Sequence, residues 1–283
     1  MGIPVWIRPS WIILLDARSA SVKGEPSPLN SFLKSFFLYM DRTLLDASLV
    51  IEISPSMLVS MKFLSIFCMR DYLNSIDYIL LDIDGVILDQ DFDNKFWQDF
   101  VPNEYAIKNK FDIKKAKLLF QKESDKTKGS IDWYDLHYWE KKFDLDLIAI
   151  AKNYADEISL LPKSLETIKK LKKTKKIIYL TNCDPRLVRV KDEVCNFLQY
   201  ADGWLSSIEI NSIKENIWYW RHAVQTFQLI PQRCLFIDDN YEIVMQAKNA
   251  GISSLHAIQP TKSINDKLVL KKGSINRISD LVD

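Results

Sequence analysis

The chain has 283 residues, a formal net charge of +1, 47% hydrophobic and 27% charged residues, and 14 Phe, 11 Tyr and 8 Trp. That much apolar material builds a sizeable core and excludes a disordered chain, and the charge balance excludes a bulk nucleic-acid binder, which carries a clear basic excess. Four cysteines (Cys68, Cys183, Cys195, Cys234) form no CxxC pair and three histidines (His137, His222, His256) form no HExxH cluster, so no zinc-ligand spacing exists and the thiols read as reduced residues of a cytoplasmic protein.

In chain order, the first 70 residues stand apart. They hold three lysines, against twenty-six in residues 71–283, and five of the six methionines (Met1, Met40, Met57, Met61, Met69). Their apolar runs are broken, the first by Arg8 and Pro9 and the third by Lys62, so none reaches the roughly 18 apolar residues of a membrane span. The stretch "MKFLSIFC" from Met61 is too short for the apolar centre of a secretion signal and no small-residue cleavage site follows it. Residues 1–70 are expected to be a poorly ordered extension, or the product of an upstream start with translation beginning at Met69.

From Asp71 onward apolar strands alternate with helices. Tyr78–Ile83 reads as a strand, followed by a long glycine-poor helical region from Phe96 to Leu160. Leu165–Thr174 reads as a helix, Lys176–Leu180 as a second strand, Asp202–Ser207 as a short strand and Lys214–Phe227 as a helix. Arg233–Ile237 is a third clear strand, Tyr241–Ala250 a helix closed by Gly251, and Ser254–Ile258 a last short strand. This alternation predicts an α/β fold with a parallel sheet wrapped by helices on both faces, in which chemistry gathers at the carboxyl ends of the strands. The lysine run "KKLKKTKK" (Lys169–Lys176) reads as a solvated helix end whose charges suit the helix dipole.

Those strand ends carry the chemistry. After "YILL" come Asp82 and Asp84, after "IIYL" come Thr181 and Asn182, and after "CLFI" come Asp238 and Asp239. One DxD is common turn chemistry. Four carboxylates, a hydroxyl and an amide at one sheet edge are not, and like charges there need a metal ion or a reaction to offset their repulsion. A calcium loop is excluded because "DIDGVILD" has its glycine fourth rather than sixth, followed by Val86, Ile87 and Leu88. With seven glycines and neither GxxxxGK[ST] nor GxGxxG, a P-loop kinase or a dinucleotide-binding enzyme finds no support.

"LLDIDGVILD", "IIYLTNCD", Lys214 in "NSIKEN" and "LFIDDN" resemble, in order, the four motifs of the haloacid dehalogenase-like (HAD) hydrolases over Asp71–Asp283. The resemblance implies a Rossmann-like parallel core (residues 71–91 and 163–283) with a helical cap inserted at 92–162. "DFDNKFWQDFVPNEYAIKN" and "DWYDLHYWEKKFDLDL", inside that cap, resemble bacterial HAD-like purine 5′-nucleotidases acting on GMP and IMP.

By the same resemblance, Asp82 is the nucleophile that forms an aspartyl-phosphate and Asp84 the acid and base. Gly85, Thr181, Asn182 and Lys214 serve the phosphate, and Mg²⁺ is held by Asp82, the carbonyl of Asp84, and Asp239, with Asp238 as second choice. Asp84 separates a phosphatase from a dehalogenase, because a leaving halide needs no proton. The sequence departs from the commoner pattern at three places. Asp238 stands where many members have glycine, Ile243 where others have a second carboxylate, and Glu215 where proline often follows the lysine. Cap aromatics Trp133, Tyr134, Tyr138 and Trp139 are candidates to stack on a purine, with packing of the cap's own helices as the competing role for each. The expected partner is a small phosphate ester, with no nucleic acid and no membrane. A sugar-phosphate or phosphoglycolate phosphatase, or a non-catalytic binding protein, is the alternative.

Overall fold

The computed structural model describes residues 72–262 and 274–282. The expectations for residues 1–70, including Cys68 and the start at Met69, lie outside the described residues. The fold below is that of the unit spanning residues 76–283.

Six parallel strands form one sheet in the order β3-β2-β1-β4-β5-β6. They are β1 (Tyr78–Leu81), β2 (Lys176–Thr181), β3 (Gly203–Ser206), β4 (Cys234–Asp238), β5 (Ser253–Ala257) and β6 (Ser274–Ile275). The central strands β1, β2 and β4 are continuous apolar runs rather than alternating ones, as burial on both faces requires. Ile79, Leu80 and Leu81 have no exposed surface, and every residue of β4 is buried. In register, Leu80 stands between Ile178 of β2 and Phe236 of β4. The strand order reverses at β1, so a crevice opens beyond the carboxyl ends of β1, β2 and β4, where such sheets bind ligands.

The helices are α1 (Asp91–Lys95), which runs through a π-helical turn at Phe96–Phe100 into α2 (Val101–Asn109), then α3 (Ile113–Thr127), α4 (Leu136–Phe143) and α5 (Leu147–Asn153). After these come α6 (Ser164–Leu171), α7 (Pro185–Cys195), α8 (Ser207–Ile210), α9 (Ile217–Thr226) and α10 (Tyr241–Asn249). The expected long helical region is therefore several helices, and the reason is local. Asp112, Asp135 and Asp146 each accept a hydrogen bond from a first-turn N–H, those of Lys114, His137 and Ala149, and so start new helices. Lys110 and Asp144, at φ 54° and 51°, end α2 and α4 in the left-handed region. Likewise α9 begins at Ile217 rather than at Lys214, because Asn216 caps it through the N–H of Trp218. Gly251 closes α10 at φ 83°, as its position in the sequence predicts.

Two apolar clusters organise the unit. One joins Leu80, Ile178, Leu180 and Phe236 of the sheet to Tyr219, Trp220 and Ala223 of α9. The other, built of Phe92, Phe96, Phe120, Trp139 and Phe143, holds α1 to α5 together and takes in Leu187 and Val190 of α7. That second cluster seats the inserted helices over the crevice. No helix among the described residues is long and apolar enough to cross a membrane.

Candidate active site

A cavity of about 670 Å³ lies at the carboxyl ends of β1, β2 and β4, a volume that suits a small organic ligand. Its sheet side carries Asp82, Asp84, Thr181, Asn182, Lys214, Asp238 and Asp239, and its cap side Trp97, Gln98, Gln121, Trp133, Tyr134 and Trp139. Every sheet-edge residue singled out from the sequence, Gly85 excepted, borders this one space.

Local geometry explains the convergence. The Asp82 N–H donates to the Ile237 carbonyl at 2.9 Å, which holds the end of β1 against the end of β4. The chain then turns sharply, with the N–H groups of Ile87 and Leu88 both donating to the Ile83 carbonyl and Gly85 N–H donating to Leu88. Gly85 sits at φ 81°, and a Cβ there would stand 2.7 Å from Cγ of Asp239 and 2.9 Å from Cβ of Pro260. The Gly85 N–H is used inside the turn, and its lack of a side chain lets the backbone turn closely and makes room for Asp239.

Lys214 is 1% exposed. Its Nζ donates to Asp82 Oδ1 (2.7 Å), Asp238 Oδ2 (2.8 Å) and the Leu180 carbonyl (3.2 Å). Burial opposes the charge on Lys214, but the facing carboxylates of Asp238 and Asp82 outweigh it and hold the ammonium well above its ordinary pKa. Burial raises the pKa of Asp82, and the neighbouring carboxylates of Asp238, Asp239 and Asp84 add to that against the opposing Lys214. Burial and Asp238 push Asp239 up to about 7.

Oxygens of Asp82, Asp238 and Asp239 lie within 4.8 Å of one another. Three carboxylates face a single ammonium, and the donor set is all oxygen, which fits a hard divalent cation such as Mg²⁺. The structure also separates the two adjacent aspartates. Both oxygens of Asp238 are engaged, one by Lys214 and one by the N–H of Asn240 at 2.7 Å. Asp239 accepts from Gln90 Nε2 at 2.9 Å through Oδ2 only, which leaves it the freer ligand.

Thr181 Oγ1 accepts from the N–H of Cys183 at 3.0 Å, and among the described residues its hydroxyl proton meets no acceptor. Asn182 is a hub rather than a simple donor. Its Oδ1 accepts from the Lys214 N–H (2.9 Å) and from Ser207 Oγ, while its Nδ2 donates to Glu215 Oε2 (3.0 Å). It therefore positions the loop that carries Lys214.

The cap aromatics divide. Tyr134 lines the cavity and donates its hydroxyl to Glu215 Oε1 at 2.9 Å, joining cap to core. Trp133 lines it too, its indole N–H donating to Ser124 Oγ at 3.1 Å. Trp139 is buried, stacked on Phe143 and 5.2 Å between ring centres from Trp97, so packing is its main work. Tyr138 does not line the cavity: its hydroxyl donates to Glu123, a contact that lowers Glu123 to about 2 and raises Tyr138 to about 12.

Sequence reasoning missed Gln90, Asp93 and Lys191, and gave Glu215 no role. Lys191 on α7 is completely buried, and its Nζ donates to Asp84 Oδ1 at 2.7 Å and to both oxygens of Asp93 at 2.8 Å. Burial and the facing Asp84 push Asp93 up to about 7. One signal was available. Lys191 follows Leu187 by four residues and Val188 by three, which puts a charge on the apolar stripe of "PRLVRVKDEVC".

Comparison with known proteins bears on this constellation. Residues 76–251 match the family described as haloacid dehalogenase-like hydrolase. The GMP/IMP nucleotidase YrfG of Escherichia coli is 30% identical over 209 residues, covering 73% of this chain and 94% of that protein, and its Shigella flexneri counterpart gives the same figures. Among solved structures, a HAD phosphatase from Thermococcus onnurineus superposes with a TM-score of 0.63 at 20% identity, covering 73% of this chain and 96% of the other. A putative phosphoglycolate phosphatase from Lactobacillus plantarum superposes with a TM-score of 0.52 at 15% identity, covering 73% and 97%. These two likenesses establish the shared α/β fold. With its four motifs drawn to one cavity, the chain belongs to the haloacid dehalogenase-like hydrolases, among them as a phosphomonoester hydrolase.

Proposed function

We propose that the protein is a Mg²⁺-dependent nucleotidase that removes the 5′-phosphate of purine nucleoside monophosphates, GMP and IMP foremost. The observation that carries the reading is one cavity with two unlike ends. The sheet end gathers Asp82, Asp84, Lys214 and Asp239, and the cap end presents Trp133 and Tyr134. The likeness to the nucleotidase YrfG over 94% of that protein supports the same substrate class.

Asp82 and Asp239, with the main-chain carbonyl of Asp84, would hold the cation, which when bound neutralises phosphoryl charge so that an anionic nucleophile can approach. Asp82 attacks phosphorus through Oδ2, since Lys214 holds its Oδ1. The bond to the ribose oxygen breaks as the Asp82–phosphorus bond forms, and Asp84 donates its proton to the departing oxygen. Water then attacks the aspartyl-phosphate, Asp84 takes the water's proton, and free phosphate leaves with Asp82 restored. Lys214 offsets charge on the transferring group as a compact cation. Thr181 offers its hydroxyl proton to a phosphate oxygen. At the far end, Trp133 stacks on the base, an interaction worth about 1–3 kcal/mol, and Ser124 fixes the indole edge.

Phosphate release should be measured across purine and pyrimidine monophosphates, ribose 5-phosphate and phosphoglycolate, with magnesium and with chelator. The expected result is magnesium-dependent release with the highest kcat/KM on GMP or IMP. Equal or higher kcat/KM on the small esters would overturn the nucleotide assignment and leave a general phosphatase. Undiminished turnover in chelator would overturn the cation requirement.

A further inference from the structure

We propose that Lys191 is a positioning residue: it fixes the Asp84 carboxylate for proton transfer and ties it to Asp93 at the entry to the cap. The inference rests on the phosphatase reading above. Three observations carry it. First, Lys191 is fully buried on a helix whose neighbouring Leu187 and Val190 belong to the apolar cluster of the cap. A buried cation contributes little to stability compared with an apolar side chain of its size, so folding alone does not account for it. Second, its ammonium is shared between two carboxylates from different elements, Asp84 in the turn after β1 and Asp93 on α1. Third, Asp84 borders the cavity where the phosphoryl group sits, and so does Asp93.

The geometry gives Lys191 a specific task. Without it, two carboxylates would face each other and Asp84 would turn away from Asp93. With it, Asp84 Oδ1 is pinned to a helix that itself packs into the cap, and Oδ2 is the oxygen that exchanges the proton. Lys191 takes no part in bond making. It acts on the step in which the leaving oxygen needs a proton, and because Asp93 lies on α1, the placement of Asp84 is bound to the placement of the cap.

The test compares two esters that share the phosphoryl group and differ in what leaves. GMP releases an alkoxide that must be protonated; 2,4-dinitrophenyl phosphate releases a phenolate that needs no proton. For Lys191→Met, kcat/KM should fall about a hundred-fold on GMP, within the usual reach of general acid catalysis, and less than about three-fold on the dinitrophenyl ester. The dinitrophenyl ester should also show a burst of phenolate, because the second step still needs Asp84 as base. Asp93→Asn, which keeps the Lys191–Asp84 contact, should shift the ratio of the two esters in the same direction by a smaller factor. Should Lys191→Met not fold, Lys191→Met with Asp93→Asn removes one of the two uncompensated charges and carries the same comparison. Equal losses on both esters in the variant that folds would overturn the proposal and leave Lys191 a structural residue. A wild-type protein that hydrolyses neither ester would instead overturn the phosphatase reading itself.

Discussion

Asp239→Asn should make the metal-free protein more stable while abolishing its response to magnesium. The magnitude follows from the site. Burial and the neighbouring Asp238 raise Asp239 from 3.8 to about 7 in the fold. Between those values the native state binds the extra proton, so stability falls as pH rises from the unfolded pKa to the folded one and stays low above it. About three pH units at about 1.4 kcal/mol each give roughly 4 kcal/mol. The carboxylate borders the cavity, and solvent screening leaves about half, near 2 kcal/mol. Asparagine keeps an oxygen to accept the Gln90 hydrogen bond and removes the charge. In chelator at about pH 8, Asp239→Asn should therefore melt about 4–8 °C above the wild type, and at roughly pH 4.5 the difference should nearly vanish. Millimolar magnesium at the higher pH should raise the melting temperature of the wild type and leave that of the variant unchanged. Circular dichroism melts in the three buffers decide it. A variant that melts at or below the wild type in chelator at the higher pH would refute the claim that Asp239 is a strained, cation-seeking carboxylate.

Asp82→Asn should lose at least about 10⁴-fold in phosphate release, as expected when a covalent nucleophile is removed, with an unchanged far-ultraviolet spectrum; retained turnover would place the nucleophile elsewhere. Gly85→Ala forces a side chain into a φ of 81° and to within 3 Å of Asp239 and Pro260, so stability should drop by about 2 kcal/mol or more in urea titration, with magnesium affinity falling too. Trp133→Ala should reduce kcat/KM on GMP about 5- to 150-fold more than on ribose 5-phosphate, the discrimination a stacked base of about 1–3 kcal/mol supplies; equal losses on the two substrates would end the stacking role. Tyr134→Phe removes one hydrogen bond to a carboxylate, worth about 1.5–3 kcal/mol, and should raise KM for nucleotides by joining the cap to Glu215 less firmly.

The parts of the fold legible in the sequence are those set by local runs. The strands β1, β2 and β4 announce themselves as unbroken apolar segments, and four carboxylates just past the ends of β1 and β4 locate the crevice before any geometry is known. Helix boundaries in the cap were not legible as one long pattern, because single aspartates at 112, 135 and 146 reset the chain by capping new helices. The helix Pro185–Cys195 escaped notice although its proline and preceding Asp184 mark a start. The resemblance put Asp239 ahead of Asp238, but the physical reason for that order is not in the sequence. It depends on which one meets Lys214 and Asn240, and those contacts join residues brought together only by the sheet. Tyr138 shows the same limit from the other side: spacing places it on a helical face with Tyr134, but Glu123 draws its hydroxyl out of the cavity.

The central strand is the first of the sheet to be made and the one that waits longest. Its neighbours across Tyr78, Lys176 and Cys234, follow 98 and 156 residues later, and the Lys214–Asp82 pair spans 132 residues. Such distant pairings form late in folding. The proposed cation site is thus a property of the finished sheet, absent from any partly assembled state. Magnesium should accordingly act as a brake on unfolding, leaving the rate of folding nearly untouched.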